Sequence, residues 1–358
     1  MKTLDRYIAA SFIKNFWVAS LGLTFVFVFQ AILGGIIDKD YTLRQLIIYH
    51  CLQIPNIFVQ MAPPSVLMTT VFTLSGFNRS NELVACYSIG YGIKRFLTLF
   101  ISLALLVCCM VLFLQDRILP PLYHRQTNYL WREMKKRNDF VVDVSQNRIW
   151  YRSKNLIYNL RAFDSKSQTI LGMTVYSFDD RFNLRETLEA ETAKYTPSGW
   201  KLFNGAITQF QINEAFPKHQ AFKEIQLQIP ETPKDFKEVD KKVDGLRLRQ
   251  LYAYINQLKK AGLDTKEHQV KLHSRLSQSF IPIVMCILGV PFSIRGRREG
   301  GVAKDLTACL VITFFYWLFY SIGLSLGTNG NITPWIAAWT PTLLFTVFAL
   351  FLVRRKQS

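Results

Sequence analysis

The chain has 358 residues, half of them apolar, and 43 Lys and Arg against 25 Asp and Glu give a formal charge of +18. The apolar residues gather in long uncharged runs, which excludes an ordinary soluble domain and points to a polytopic membrane protein. The charge alone would suit nucleic acid, but outside the middle of the chain nearly all basic residues fall in alternate loops between those runs. There they set membrane orientation, and nucleic-acid binding is set aside.

In chain order, residues 2–14 form an amphipathic entry to a first span over about 15–37, which exits at Asp38-Lys39-Asp40. This run is longer than a signal-peptide core and lacks a clear cleavage site, so it is expected to be retained. The next run, about 45–78, is too long for one straight span of roughly 20 residues. Its start, Thr42 to His50, is therefore expected at the interface, with Pro55 entering the span. A polar island, Ser75 to Gly92, separates this span from a third over about 96–115. Within the island Leu83, Cys86 and Tyr87 have helical spacing, so a short amphipathic helix against the membrane face is predicted. Asn78, Ser80 and Asn81 suit its start, Gly90 and Gly92 its end.

The middle segment, 117–275, offers seven candidate strands, 140–144, 148–152, 155–162, 170–178, 188–195, 200–210 and 222–229, with alternation visible in Leu156, Tyr158, Leu160 and in Ile225, Leu227, Ile229. Turn residues such as Asp164-Ser165 and Pro197-Ser-Gly199 separate them, and the spacing suggests a sandwich or jelly roll. A basic helical region, Leu246 to Lys260, follows. The fourth span, about 276–294, carries Pro282 and Pro291 and is expected to bend. The last run, about 306–353, makes two spans around a turn at Gly327–Pro334. The predicted architecture is a membrane α-helical protein of six transmembrane helices, three in 1–116 and three in 276–358, with an inserted all-β domain. The basic loops make both termini and the Arg79–Glu82 island cytoplasmic and the β domain extracytoplasmic.

The six cysteines all lie in or beside membrane segments, so the β domain must fold by its own core. Glu267, His268 and His273 do not make a metal site, because the two His lie on different helix faces and no third ligand is evident. The glycine-rich loop Arg295–Gly301 lacks the spacing of a phosphate-binding loop, and none occurs elsewhere. The fifth and sixth spans hold no ionisable side chain except tyrosines, which argues against a proton-driven pump. Energy is therefore expected from a partner.

Pro64-Ser-Val-Leu67, followed by Asn81-Glu-Leu-Val-Ala85 and Gly90, resembles the hallmark of the lipopolysaccharide export permeases, the LptF/LptG family. The family has Ser before the Glu and Ser or Thr where this chain has Asn81 and Gly92. Leu288-Gly-Val-Pro-Phe292 resembles a second family feature, and Leu4-Asp-Arg-Tyr-Ile8 with Phe16 is most similar to the LptG branch.

The resemblance implies a periplasmic jelly-roll-like domain, an inner-membrane location, and a permease without catalytic residues, metal or cofactor of its own. ATP and Mg would be bound by a cytosolic LptB-like ATPase dimer. An LptF-like permease, an LptC-like single-span protein and a periplasmic LptA-like bridge would complete the path of lipopolysaccharide. Arg79, Glu82, Leu83, Ala85, Cys86 and Gly90 would then couple to the ATPase, and Lys39 and Arg44 would meet lipid headgroup phosphates. Phe25, Val28, Phe29, Phe315 and Phe319 would line the lipid cavity, or face lipid and neighbouring helices. The alternatives are an LptF-type subunit, a glycolipid-modifying membrane enzyme using His50 or Asp38 and Asp40, and a receptor or scaffold docking through its β domain.

Overall fold

The computed structural model describes residues 2–37, 42–134, 141–145, 148–153, 155–164, 167–179, 182–196, 199–210, 216–227, 245–260, 264–293 and 302–357. The chain divides into a helical unit, Met1–Leu119 with Lys266–Ser358, and a second unit, Pro120–Thr265.

Six helices of the described residues are long and apolar enough to cross a membrane. They are carried by α1 (Lys2–Ile37), α2 (Leu43–Arg79), α4 (Ile93–Phe113), α7 (Lys266–Ser293), α8 (Val302–Thr328) and α9 (Pro334–Gln357), with the short α3 (Glu82–Ser88) between α2 and α4. The three-plus-three plan is as predicted. Its division from the inserted unit falls after Leu119 and before Lys266, not at 116 and 276, because both bordering helices run beyond the uncharged stretch. The segment after α4 continues through a π-helical turn, Leu114–Ile118, into α5 (Leu119–Tyr129), and α7 opens with two charged turns from Lys266.

Thr42–His50 and the span that follows are joined in one continuous helix, α2, with Pro55, Pro63 and Pro64 inside it. Thr42 and Gln45 close a capping box at its start. Near its prolines, Ser65, Thr69 and Thr70 return hydroxyl hydrogen bonds to carbonyls four residues back, which lets buried polar groups sit in an apolar bundle.

Burial sorts the helices. In α2 and α7, 72% of the most apolar window is covered by protein, against 22% in α1 and 17% in α8. The first pair therefore forms the centre of the bundle and the second pair its rim. Gly289 explains the close approach of α2 and α7, since a Cβ there would lie 2.8 Å from Thr70 Cβ. Tyr316 and Tyr320 tie α8 to its neighbours through Thr342 Oγ1 at 3.0 Å and the Ser274 carbonyl at 3.1 Å.

The second unit holds one antiparallel sheet of seven strands in chain order: β1 (Val141–Ser145), β2 (Arg148–Ser153), β3 (Leu156–Asp164), β4 (Thr169–Phe178), β5 (Leu184–Thr196), β6 (Gly199–Gln209) and β7 (Lys218–Leu227). Every predicted strand is present, and the β insertion takes the form of a meander. Its core gathers Tyr158, Leu160, Phe163, Ile170, Met173, Val175, Leu188, Ala193, Trp200 and Leu202.

The register reveals a crease across the sheet. Leu160, Met173, Ala190, Gly205 and Phe222 are paired neighbours along one line, and Phe163, Ile170, Ala193, Leu202 and Ile225 along another. Strict alternation would put residues three apart on opposite faces. Both lines nevertheless belong to, or pack against, the same core. Strands β4 to β7 therefore each turn two successive residues away from the core at the same level, and the sheet creases there into two walls around that core. Gly172 (φ +54°) and Asn204 (φ +50°) supply the left-handed backbone that this crease needs on either side of β5. Trp200, Tyr158, Leu160 and Met173 are fully buried between the walls. On the outward side of the crease Arg161, Tyr176, Glu189, Glu191 and Asn204 border a cavity of 590 Å³.

In the same unit, α6 (Leu248–Lys260) buries Leu251, Tyr254, Ile255 and Leu258, an i, i+3, i+4, i+7 stripe, where the sequence predicts a helical region.

Candidate functional site

The helix predicted in the polar island is α3, entered through Asn81 in the left-handed region (φ 61°) and left through Gly90 (φ +79°). Asn81 makes no side-chain cap; instead its carbonyl accepts the Ala85 N–H at 3.1 Å. Gly92 caps the start of α4. These two sharp turns hold a seven-residue helix across the end of the bundle where α1 begins.

One face of α3 is spent on anchoring. Leu83 and Cys86 are buried in a cluster with Ile8, Phe12, Phe77, Tyr91, Phe96 and Phe100. Burial, with the Glu82 charge second, pushes the Cys86 thiol above its usual range, so it packs as a small apolar group. The opposite face is open: Val84 is 58% exposed, Ile89 67% and Tyr87 39%. Ala85, Ser88 and Gly90 are exposed beside them. Of the six residues expected to couple, Leu83 and Cys86 therefore point into the bundle; Val84 and Ile89 are accessible residues that the spacing did not single out, and Tyr87, which it grouped with the buried pair, is accessible too.

Polar contacts fasten the segment at both ends. Tyr91 donates its phenol proton to Asp5 Oδ1 at 2.6 Å, and Arg95 Nη2 donates to Asp5 Oδ2 at 2.8 Å. The Arg95 guanidinium also lies 4.9 Å from the centre of the Tyr91 ring. Burial first, and the Asp5 hydrogen bond second, push the Tyr91 phenol up to about 12, so it remains a donor at neutral pH. Tyr7 hydrogen-bonds the Glu82 carboxylate and stacks on Phe77 at 5.8 Å. At the other end Arg79 Nη2 pairs with Asp305 Oδ2 of α8 at 2.8 Å. Sequence reasoning missed Asp5, Tyr91, Arg95 and Asp305. The available signal was a lone carboxylate among basic residues where a span begins: Asp5 between Lys2 and Arg6, and Asp305 beside Lys304.

The other expected residues lie apart from this segment. Arg44 is exposed in the first turn of α2, and Lys39 lies outside the described residues. Phe25, Phe29, Phe315 and Phe319 are each about half exposed or more, and Val28 is half-buried, on the rim helices α1 and α8. His50 is buried, with Nδ1 3.0 Å from Gln53 Oε1; Asp38 and Asp40 lie outside the described residues, as does the loop Arg295–Gly301.

Six helices fit to cross a membrane, a short helix packed on the start of α1 and an inserted β unit define a polytopic membrane protein with an extramembrane β insertion. The family profile described as lipopolysaccharide export system permease LptF/LptG matches residues 6–355, and the chain belongs to that family. It is 21% identical to the lipopolysaccharide export system permease protein LptG of Escherichia coli (strain K12), over 99% of this chain and 98% of that protein. LptF of the same strain is 28% identical over 41% of this chain and 33% of its own length, and LptF of Shigella flexneri matches equally. The chain is accordingly a multi-pass inner-membrane protein of the lipopolysaccharide export system, a transporter subunit and not an enzyme.

Proposed function

We propose that this permease draws lipopolysaccharide out of the inner membrane and passes it to a periplasmic bridge, driven by a cytosolic ATPase dimer that docks on the open face of α3. The observation that carries the reading is the division of α3 into two faces. A loop helix with three exposed apolar side chains, Val84, Tyr87 and Ile89, on a rigidly anchored base has the form of a docking peg. The positive-inside rule puts this end, and both termini, in the cytoplasm and the β unit in the periplasm.

The full-length match to LptG supports the G-type role, with an LptF-like permease as the second half of the transporter. The rim position of α1 and α8 supports their meeting that second permease, and Phe25, Phe29, Phe315 and Phe319 would then border the shared lipid cavity. Acyl chains bind such a surface at about 0.8 kcal/mol per buried methylene. Lys39, which follows α1 in the sequence, and Arg44, at the start of α2, would hold headgroup phosphates. An LptC-like single-span protein and an LptA-like bridge would continue the path beyond the β unit.

The test is co-purification of tagged protein from membranes, followed by ATP-driven lipopolysaccharide release from proteoliposomes. An ATPase should accompany the wild-type chain and be lost with Ile89→Asp. Retention of a fully active ATPase on the Ile89→Asp protein would refute the docking face.

A further inference from the structure

Two ion pairs leave the α3 segment in opposite directions, and they differ in kind. Asp5 is held by two donors at once, Tyr91 and Arg95, above a buried aromatic floor of Tyr91, Phe96 and Phe100. The start of α1 and the α3 segment thus share one packed cluster. Among the described residues no side chain of α8 belongs to that cluster; those of α8 that are buried, Cys309, Tyr316 and Tyr320, pack with α7, α9 and the middle of α2. An ion pair, Arg79–Asp305 at 2.8 Å, joins this segment to α8, with 44% of the Arg79 and 15% of the Asp305 side chain exposed.

We propose that Arg79–Asp305 is a releasable latch that transmits movement of the α3 segment to α8, so that Asp305 is a positioning residue of the transport cycle. α1 must move with α3, because a buried aromatic cluster and a doubly held carboxylate join them. α8 follows the bundle through its packing on the middle of α2 and on α7, and Arg79–Asp305 adds a polar tie between its first turns and the α3 segment. With its Arg79 end reaching solvent and no second donor on Asp305 among the described residues, this tie can open and close within a turnover. Its members sit 226 residues apart, one in each three-helix half. The latch therefore couples the two halves at the point where partner force would enter. This inference rests on the proposed ATPase docking.

The assembled transporter in proteoliposomes containing lipopolysaccharide tests it, with lipid released per ATP hydrolysed as the readout. Asp305→Asn and Asp305→Arg should each lower that ratio, by roughly two- to fivefold, the span expected for an exposed pair. ATP turnover and the amount of co-purified ATPase should stay at the wild-type level. Asp305→Glu should keep the ratio, and the exchanged pair Arg79→Asp with Asp305→Arg should recover it relative to Asp305→Arg alone. An unchanged ratio in both single variants, or an exchanged pair no better than Asp305→Arg, overturns the latch. Loss of the ATPase from Asp305→Asn overturns it too, because the residue would then belong to the docking site or to the fold. If the wild-type chain brings down no ATPase, the docking reading fails and the latch fails with it.

Discussion

Leu83 and Ile89 lie on the same short helix, yet the structure gives them opposite work, and exchanging their fates in an experiment separates anchoring from docking. Leu83 is 3% exposed and packs among Ile8, Phe77 and Cys86. Truncation of a buried Leu to Ala costs about 2–5 kcal/mol, depending on how far the site collapses. The α3 helix has two turns and flanking residues with left-handed backbone, so it can settle inward, and the cost should fall near the lower figure, about 2–3 kcal/mol. Ile89 is 67% exposed and loses little in the isolated subunit. Full burial of such a side chain against a partner is worth about 1.5–3 kcal/mol, of which the exposed two-thirds is about 1–2 kcal/mol. Ile89→Ala should therefore weaken ATPase binding by roughly 5- to 30-fold, and Ile89→Asp by more, because a carboxylate would be desolvated.

The assay is a pair of measurements on each purified variant in detergent: thermal unfolding of the subunit alone, and titration with the partner ATPase. Leu83→Ala should lower the unfolding temperature, and Ile89→Ala should leave it unchanged while shifting the binding curve. The reasoning is refuted if Ile89→Ala destabilises the lone subunit as much as Leu83→Ala, or if both bind the ATPase normally.

Tyr91→Phe removes a donor from Asp5, a hydrogen bond to a charged group worth about 1.5–3 kcal/mol, and should lower the unfolding temperature without altering the α-helix content measured by circular dichroism. Gly205→Ala would put a Cβ 2.1 Å from the Glu189 carbonyl oxygen and 2.5 Å from Phe222 Cζ. Phe222 can swing away but the paired strand cannot, so the β unit should lose about 1–3 kcal/mol and become the first site of limited proteolysis. Gly327→Val meets Ala337 Cβ at 2.4 Å and Val270 Cγ2 at 2.9 Å and should loosen α8 from α7 and α9, seen as faster hydrogen exchange in α8.

The helices and strands were legible because each follows one period. Alternation is plain in Leu156, Tyr158 and Leu160 and in Ile225 and Leu227, and the β5 and β7 starts fell four residues earlier than expected, at Leu184 and Lys218, where the sequence is too polar to show it. In β7 those residues, Lys218 to Ala221, are exposed, so nothing selects for apolar side chains there. That α2 stays one helix through three prolines was not legible, since in a buried helix Ser and Thr hydroxyls and neighbouring helices meet the polar groups that a proline frees. The short helix of the polar island was legible from its spacing, but not its outward face. Spacing grouped Tyr87 with Leu83 and Cys86, and a helix of seven residues is too short for period alone to fix its orientation. The Asp5 contacts span 86 and 90 residues, and no local pattern encodes them.

The distribution of packing along α1 makes it a lever. Its first turns are clamped: Ile8, Phe12 and Phe16 are buried with the α3 segment, and Asn15 donates to Thr73 Oγ1 at 2.8 Å. Beyond Thr24, Phe25, Val26, Phe27, Phe29 and Leu33 are exposed, Val28 and Ile32 are half-buried, and near Gly35 the helix comes close to Leu46 of α2. The helix is stiff over this length, and from Phe16 to Ile37 it rises about 31 Å. A tilt of about 10° imposed at the clamped end would therefore carry the far end through about 5 Å. That is comparable with the width of an acyl chain, and the moving surface is the one bearing Phe25 and Phe29. A small displacement of α3 is thus enough to open or close a lipid-sized gap along α1. Such amplification requires the clamp and the free end to be on one unbroken helix, as they are from Lys2 to Ile37.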